Sequence, residues 1–452
     1  MKIKYVLLFF TAIYSLISCT EGTEIDEPIA KEEPIPEEPK EEVYLTYRLN
    51  EHSDTTEIEY WVIVHDQDGE LLDYKSIKED STLTFSAIDT ALVNTEKLVV
   101  TTLSVAEYEN HIAHNLLTYT NIQKGFKWNS SESGEANSSL IRELNIGKTN
   151  HSNNKLNSKV GDYTITVNSV PAFLKYHIQS PETGVVARND TEVEGDRLQV
   201  EGLELQPGIR YLISIGDTEE LPKYTFFEIS DDSKNITLDY TEFTDYDQVL
   251  ETTLPENTYL FSVSKGYDNS ERSGRGYEMV VEIDFDNPEI SRIGYISGFK
   301  SYLTQFNLTM KNNYTYRYSE LSELPLEQIT ILEKPNFSII ENSLYNFEFS
   351  TDISYLTTSS IWRSEEASSE IFNNYTSWRI NSSNTSSHLL GEIPEELINL
   401  YPKLNLEKLK YSDTELQLLG QDYQVSLNVL SNPTNVVYPI INESLILYPE
   451  QE

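Results

Sequence analysis

The chain has 452 residues, with 33 Lys and Arg against 74 Asp and Glu and a net charge of −41. That balance argues against nucleic acid and against an anionic lipid surface as partners, because both would repel it. Hydrophobic residues make up 38%, enough for packed cores, and the length suggests roughly two to four domains.

Lys2 and Lys4 precede an apolar run, residues 5–16 (YVLLFFTAIYSL), which is too short to stay as a helix across a hydrocarbon layer of about 30 Å. Residues 1–18 therefore read as a signal peptide. Leu16, Ile17 and Ser18 stand directly before Cys19, the single cysteine of the chain, and the four residues resemble the lipobox of bacterial lipoproteins. The resemblance implies that Cys19 carries lipid and becomes the mature N-terminus, so that the chain is tethered to a membrane with about 0.8 kcal/mol gained per buried CH₂. It also implies a mature chain without a thiol, hence without disulfides, a cysteine nucleophile or a cysteine metal ligand.

Residues 19–42 continue as an acidic Pro/Glu-rich tether. Pro28, Pro34, Pro36 and Pro39 prevent regular pairing, and like charges keep the segment extended and disordered, with a reach on the order of 70 Å. An acidic run directly after a lipidated cysteine is similar to the export signals of surface-displayed Bacteroidota lipoproteins. That likeness implies an anchor in the outer membrane and a chain facing the cell exterior.

Residues 43–128 carry short strands separated by turns. Residues 43–49 (VYLTYRL) alternate, residues 57–65 (EIEYWVIVH) form the nearly continuous β-former run of a strand covered on both sides, and residues 97–105 (KLVVTTLSV) resemble them. Asp66 and Asp68 before Gly69 suit a tight hairpin turn better than a calcium loop, since the third ligand and the distal Glu are missing. His111 and His114, near Glu107 and Glu109, are the closest approach to a metal cluster, but the flanking LLTYT favours a strand and no metal site is assigned.

A Ser/Asn-rich linker over 129–159 leads to a second β-sandwich-like region, 160–245, with alternating runs at 163–167, 198–205, 211–215 and 224–229. Its paired acids, Asp231 and Asp232 and then Asp245 and Asp247, read as turn residues. The third region, 246–452, is larger. Residues 277–285 (YEMVVEIDF) predict one strand with Tyr277, Met279, Val281, Ile283 and Phe285 on its core face. Asp284, Asp286 and Glu289 beyond it read as a turn. Residues 394–401 (PEELINLY) predict a short helix between prolines, and 423–430 (YQVSLNVL) and 445–448 predict closing strands. The whole is expected to be mainly β: two to three antiparallel β-sandwich-like domains in tandem after the tether.

Tyr314, Tyr316 and Tyr318 share one face of a strand, with Thr315 and Arg317 opposite. A row of exposed tyrosines is what a sugar-binding platform needs, because pyranose C–H faces stack on aromatic rings while phenol hydroxyls meet sugar hydroxyls. Trp362, Tyr375 and Trp378 lie in a Ser/Asn-rich stretch that reads as a long loop, a common place for binding residues. Candidate binding residues are thus Tyr314, Tyr316, Tyr318, Trp362 and Trp378, with packing of a second sheet as the alternative. Three triplets, Asp54-Thr55-Thr56, Asp80-Ser81-Thr82 and Asp89-Thr90-Ala91, resemble the O-glycosylation sites of exported Bacteroidota proteins. There is no G-x-S-x-G, Walker loop or H-E-x-x-H, and nothing calls for a cofactor. The sequence is expected to encode a lipid-anchored, non-catalytic binding or assembly protein for a glycan or an outer-membrane protein partner. The alternative is a surface glycan hydrolase using a carboxylate pair.

Overall fold

The structure is a computed structural model that describes residues 41–50, 58–88, 96–130, 161–193, 195–216, 221–230, 234–256, 258–268, 276–279, 281–283, 290–311, 313–367, 373–432 and 440–449. Cys19 and the expected tether lie outside these residues, except Glu41 and Glu42, which begin the strand Glu41–Leu49. The linker assigned to 129–159 falls outside them from residue 131 onward, as do the triplets at 54–56 and 89–91, Asp231 with Asp232, and the acidic turn at 284–289.

The described chain is mainly β, and twelve strands join in one sheet. In chain order they are β1 (Ile58–Asp66), β2 (Leu71–Ile77), β3 (Lys97–Glu107), β4 (Ile112–Gln123), β5 (Tyr259–Tyr267), β6 (Tyr277–Met279), β7 (Ser301–Met310), β8 (Tyr314–Ser322), β9 (Thr357–Ala367), β10 (Asn373–Ser383), β11 (Lys410–Leu419) and β12 (Ile441–Leu447). In space the order is β6-β5-β7-β8-β12-β11-β9-β10-β4-β3-β1-β2. All neighbours are antiparallel except β4 and β10, which run parallel with Leu116 opposite Trp378. This parallel pair ties strands from residues 58–123 to strands from residues 259–447. The stretch read as a Ser/Asn-rich loop contains the β9–β10 pair, in which Ser and Thr residues are interspersed with Ile361, Trp362, Trp378 and Ile380 and sit well on a pleated surface.

One face of the sheet holds the main core, covered by the small sheet Phe337–Asn342, Asn346–Thr351 and Ser387–Leu389 together with α1 (Glu395–Leu400). The helix expected at 394–401 is present. On the opposite face, the β1–β3–β4 end is covered by Glu41–Leu49, Ser81–Ile88 and Phe126–Ser130 and by α2 (Tyr423–Ser431). Strand β1 is accordingly buried on both sides, with Tyr60, Val62 and Val64 in one core and Ile63 in the other.

Two expectations change. Residues 423–430 form α2 and not a strand: Tyr423, Leu427 and Leu430 share a helical face as readily as Tyr423, Val425 and Leu427 share a strand face. Asp422 decides between the two, accepting the Val425 N–H at 2.8 Å as an N-cap. Residues 277–285 do not form one strand either. Tyr277–Met279 pairs with β5, whereas Val281–Ile283 pairs with Ile290–Tyr295 in another sheet, so the chain changes sheets partway along an unbroken β-former run.

Residues 161–243 build a sandwich on their own core, with Ile165, Ile178, Tyr211 and Ile213 at its centre. It caps the edge of the large sheet. The Gln179 side chain accepts the Glu278 N–H at 2.8 Å and donates back to the Glu278 carbonyl, and Tyr277 donates to the Arg210 carbonyl at 3.0 Å. A side-chain amide thus takes the place of a neighbouring strand on β6.

Candidate functional site

The five aromatic residues singled out in the sequence lie inside the molecule. Tyr314 and Tyr316 are 3% and 0% exposed, and Tyr318 packs partly buried against the same core. Tyr314 donates to the Leu332 carbonyl at 3.2 Å, Tyr316 to Glu443 Oε1 at 2.8 Å and Tyr318 to the Glu320 carboxylate. Burial, and then the Glu443 carboxylate beside it, push the Tyr316 hydroxyl far above its ordinary value. Trp362 and Trp378 face each other across β9 and β10. Trp378 donates to Thr118 Oγ1 at 2.8 Å, and Trp362 meets Phe347 edge-on with centroids 5.0 Å apart. The platform expected from these residues is therefore core. The three tyrosine hydroxyls and the Trp378 indole N–H are used internally, and the rings of Tyr314, Tyr316, Trp362 and Trp378 are buried.

The alternation itself holds, and it leads to the other face. Opposite the tyrosines, β8 carries Thr315, Arg317 and Ser319, and the strand pairing extends them into rows. One row runs Phe261, Asn307, Arg317, Ser444, Gln417 across β5, β7, β8, β12 and β11. A second runs Tyr259, Thr309, Thr315, Ile446, Glu415, and on through Ser359 to Asn381. Exposure falls along these rows. Tyr259 is 74% and Phe261 58% exposed; Asn307 and Arg317 are intermediate, and Ser444 and Gln417 are buried.

The reason for the exposed end is the pairing of β5. Strand β6 covers only Ser264, Lys265 and Gly266 of it, so the segment 259–263 forms a rim whose outward residues have no covering layer among the described residues. Tyr267, Leu303 and Leu321 close the far end as a small apolar cluster. Toward the middle, Arg317 Nη1 lies 3.5 Å from Glu415 Oε1, which also accepts from Ser444 Oγ at 2.8 Å. Lys265 stands opposite Glu278. The face thus offers primary amides, hydroxyls and a guanidinium beside two open rings.

Tyr259 and Phe261 were not found from sequence. In YLFSVSKGY, apolar residues occur in both phases of the alternation, so the pattern marks no outer face.

Deeper on the same face, Ser359 and Asn381 sit opposite one another at 2% and 1% exposure, and neither side chain has a hydrogen-bond partner among the described residues. Asp413 and Glu415, two apart on β11, are both buried; Asp413 accepts from Ser412 Oγ at 2.7 Å and Glu415 is held by Ser444 and Arg317. They form no open carboxylate pair. An open depression of about 330 Å³ lies between Asn336–Ser338 and Ser350–Asp352. Its one carboxylate, Asp352, already accepts from the Asn336 backbone N–H at 3.0 Å and from the Asn336 amide.

No group of three potential metal ligands occurs among the described residues. Asp66 Oδ1 accepts the N–H groups of Asp68 and Glu70 at 2.9 and 2.8 Å, and Gly69 takes φ +85°, so the Asp66–Gly69 motif is a turn. His111 stacks on Tyr108 with centroids 4.5 Å apart, while His114 is buried in β4 against Tyr401; burial pushes the His114 pKa down.

No family model matches this chain, and no curated protein matches it in sequence. Among solved structures it is similar to a calcium-stabilised adhesin that helps an Antarctic bacterium bind ice, at 6% identity over 73% of this chain and 90% of that one, with a TM-score of 0.11. It is also similar to a structure from a 1.5-MDa bacterial ice-binding adhesin, at 8% identity over 64% and 98% of the two chains and a TM-score of 0.13. A third is a tetra-tandem repeat from the extending region of a large adhesion protein, at 8% identity over 80% and 87%, with a TM-score of 0.12. Superpositions this loose carry no argument about the present chain.

Proposed function

We propose that this chain is a lipid-anchored, non-catalytic binding protein of the bacterial cell envelope, displayed outside the outer membrane, and that it meets its partner through the open face at β5 and β7. The lipobox at Cys19 and the acidic spacer behind it support the anchor and the outward address. The observation that carries the binding reading is the exposure of Tyr259 and Phe261 at 74% and 58%, side by side on a strand, in a molecule whose other large rings are mostly packed away. Exposed adjacent aromatics on a rigid sheet lose little conformational entropy on association and present large contact area. No helix among the described residues is long and apolar enough to cross a membrane.

Protease treatment of intact cells tests the address: the protein is expected to be digested while periplasmic markers survive. Protection until the outer membrane is broken would sink surface display. Cys19→Ala is expected to abolish incorporation of labelled fatty acid into the protein. Incubating the lipid-free chain from residue 20 onward with polysaccharides and proteins is expected to give binding without turnover, and release of shortened polysaccharide would replace this reading with a hydrolase.

A further inference from the structure

We propose that the open face takes a neutral glycan, with Phe261 stacked on a sugar ring and Asn307 and Arg317 bonded to neighbouring hydroxyls. The inference rests on the reading of this face as the binding surface and adds the chemistry of its ligand.

Three observations point to a polyol. Phe261, Asn307 and Arg317 stand directly opposite one another on three adjacent strands, about 5 Å apart from strand to strand. A flat ring lying on Phe261 therefore places its edge over an amide, and the next group along over a guanidinium. Arg317 meets Glu415 through Nη1 alone among the described residues, at 3.5 Å, which leaves most of its five N–H donors for acceptors outside the chain. Asn307 is partly exposed between Phe261 and Arg317, although its Oδ1 is itself buried, and a primary amide is well matched to a hydroxyl, which both gives and accepts.

Charge selects against the other classes. Arg317 lies 3.5 Å from Glu415 and Lys265 stands opposite Glu278 in the strand register, so these four formal charges cancel and leave no excess of cations to draw an anionic polymer toward a chain of net charge −41. A protein partner would call for a broad apolar centre with a polar rim. Here two rings at the edge, Tyr259 and Phe261, border a floor of Thr309, Asn307, Gln305 and Arg317, which inverts that arrangement and suits stacking on C–H faces with hydroxyls bonded alongside.

Affinity electrophoresis of the lipid-free chain from residue 20 onward, in gels holding neutral glucans, mannans, xylans or galactans and in gels holding anionic pectin or alginate, tests this. Retardation by at least one neutral polymer is expected. Phe261→Ala and Asn307→Ala are each expected to weaken it by about tenfold, with Phe261→Trp preserving it, and circular dichroism is expected to show all three folded. Binding only to anionic polymers, no retardation by any neutral polymer, or full binding by Phe261→Ala would overturn the proposal. A set of immobilised proteins probed in parallel separates the two readings. If neutral polymers fail but Phe261→Ala abolishes capture by one of those proteins, the glycan assignment falls and the binding face stands. If Phe261→Ala alters nothing that the parent binds, both fall.

Discussion

Along β8, Tyr314, Tyr316 and Tyr318 point into the main core, whereas Thr315, Arg317 and Ser319 point to the face whose rim carries Tyr259 and Phe261. Both sets belong to one strand and differ only in the phase of its alternation. The small sheet Phe337–Asn342, Asn346–Thr351 and Ser387–Leu389 and the segment around Leu332 cover the tyrosine side, while the rim of the other side has no such cover among the described residues. Aromatic content alone therefore misidentifies the open face. What marks it is where a covering layer stops.

The contrast between the faces is broken most forcefully in the core. Trp378→Ala removes a fully buried ring and the indole N–H that donates to Thr118 Oγ1, so a loss of about 3–5 kcal/mol is expected from denaturant unfolding. A loss below about 1 kcal/mol would mean that the tyrosine and tryptophan face is not packed as described.

Acid acts on the same core. Burial holds His388, stacked on Phe347 and edge-on to Trp362, down to about 4 from its ordinary 6.5. Folding thus favours the neutral ring: its stabilisation is complete above pH 6.5 and is lost as the pH falls toward 4, a change of about 3 kcal/mol. Unfolding midpoints at pH 7.5 and pH 4.5 measure it, and His388→Phe is expected to flatten the difference. An unchanged pH dependence in that variant would remove His388 from the account.

The open rim should respond least. Tyr259→Ala and Phe261→Ala are each expected to change stability by no more than about 0.5 kcal/mol, because their rings already meet water. Destabilisation well beyond that in the same unfolding experiment would show that the rim is covered, and the proposed binding face would go with it.

Particular residues show how much could be read in advance. The run at 57–65, β-former at nearly every position, announced a strand buried on both sides, and Ile63 and Val64 do lie in different cores. The prolines around 395–400 announced α1. At 423–430 the spacing fits a helix and a strand equally, and the N-cap at Asp422 was the available signal that the alternation obscured. For the site, the alternation of Tyr314, Tyr316 and Tyr318 against Thr315 and Arg317 was legible, but which phase faces outward was not. Tyr259 and Phe261 gave no contrast to read, since Leu260 between them is equally apolar.

By itself, then, the sequence determined that the chain is β-rich, where most strands run, which residues share a side of each strand, and that the charge disfavours anionic partners. Those properties are local or additive, and period-two alternation expresses them within a few residues. Only the tertiary structure decided that β4 joins β10 across more than two hundred residues of chain, that residues 277–283 split between two sheets, and that the Thr315–Arg317 side of β8 opens onto an aromatic rim. Each of those outcomes depends on what lies against a face, and a covering layer comes from distant chain whose contacts leave no trace in the period of the strand they cover.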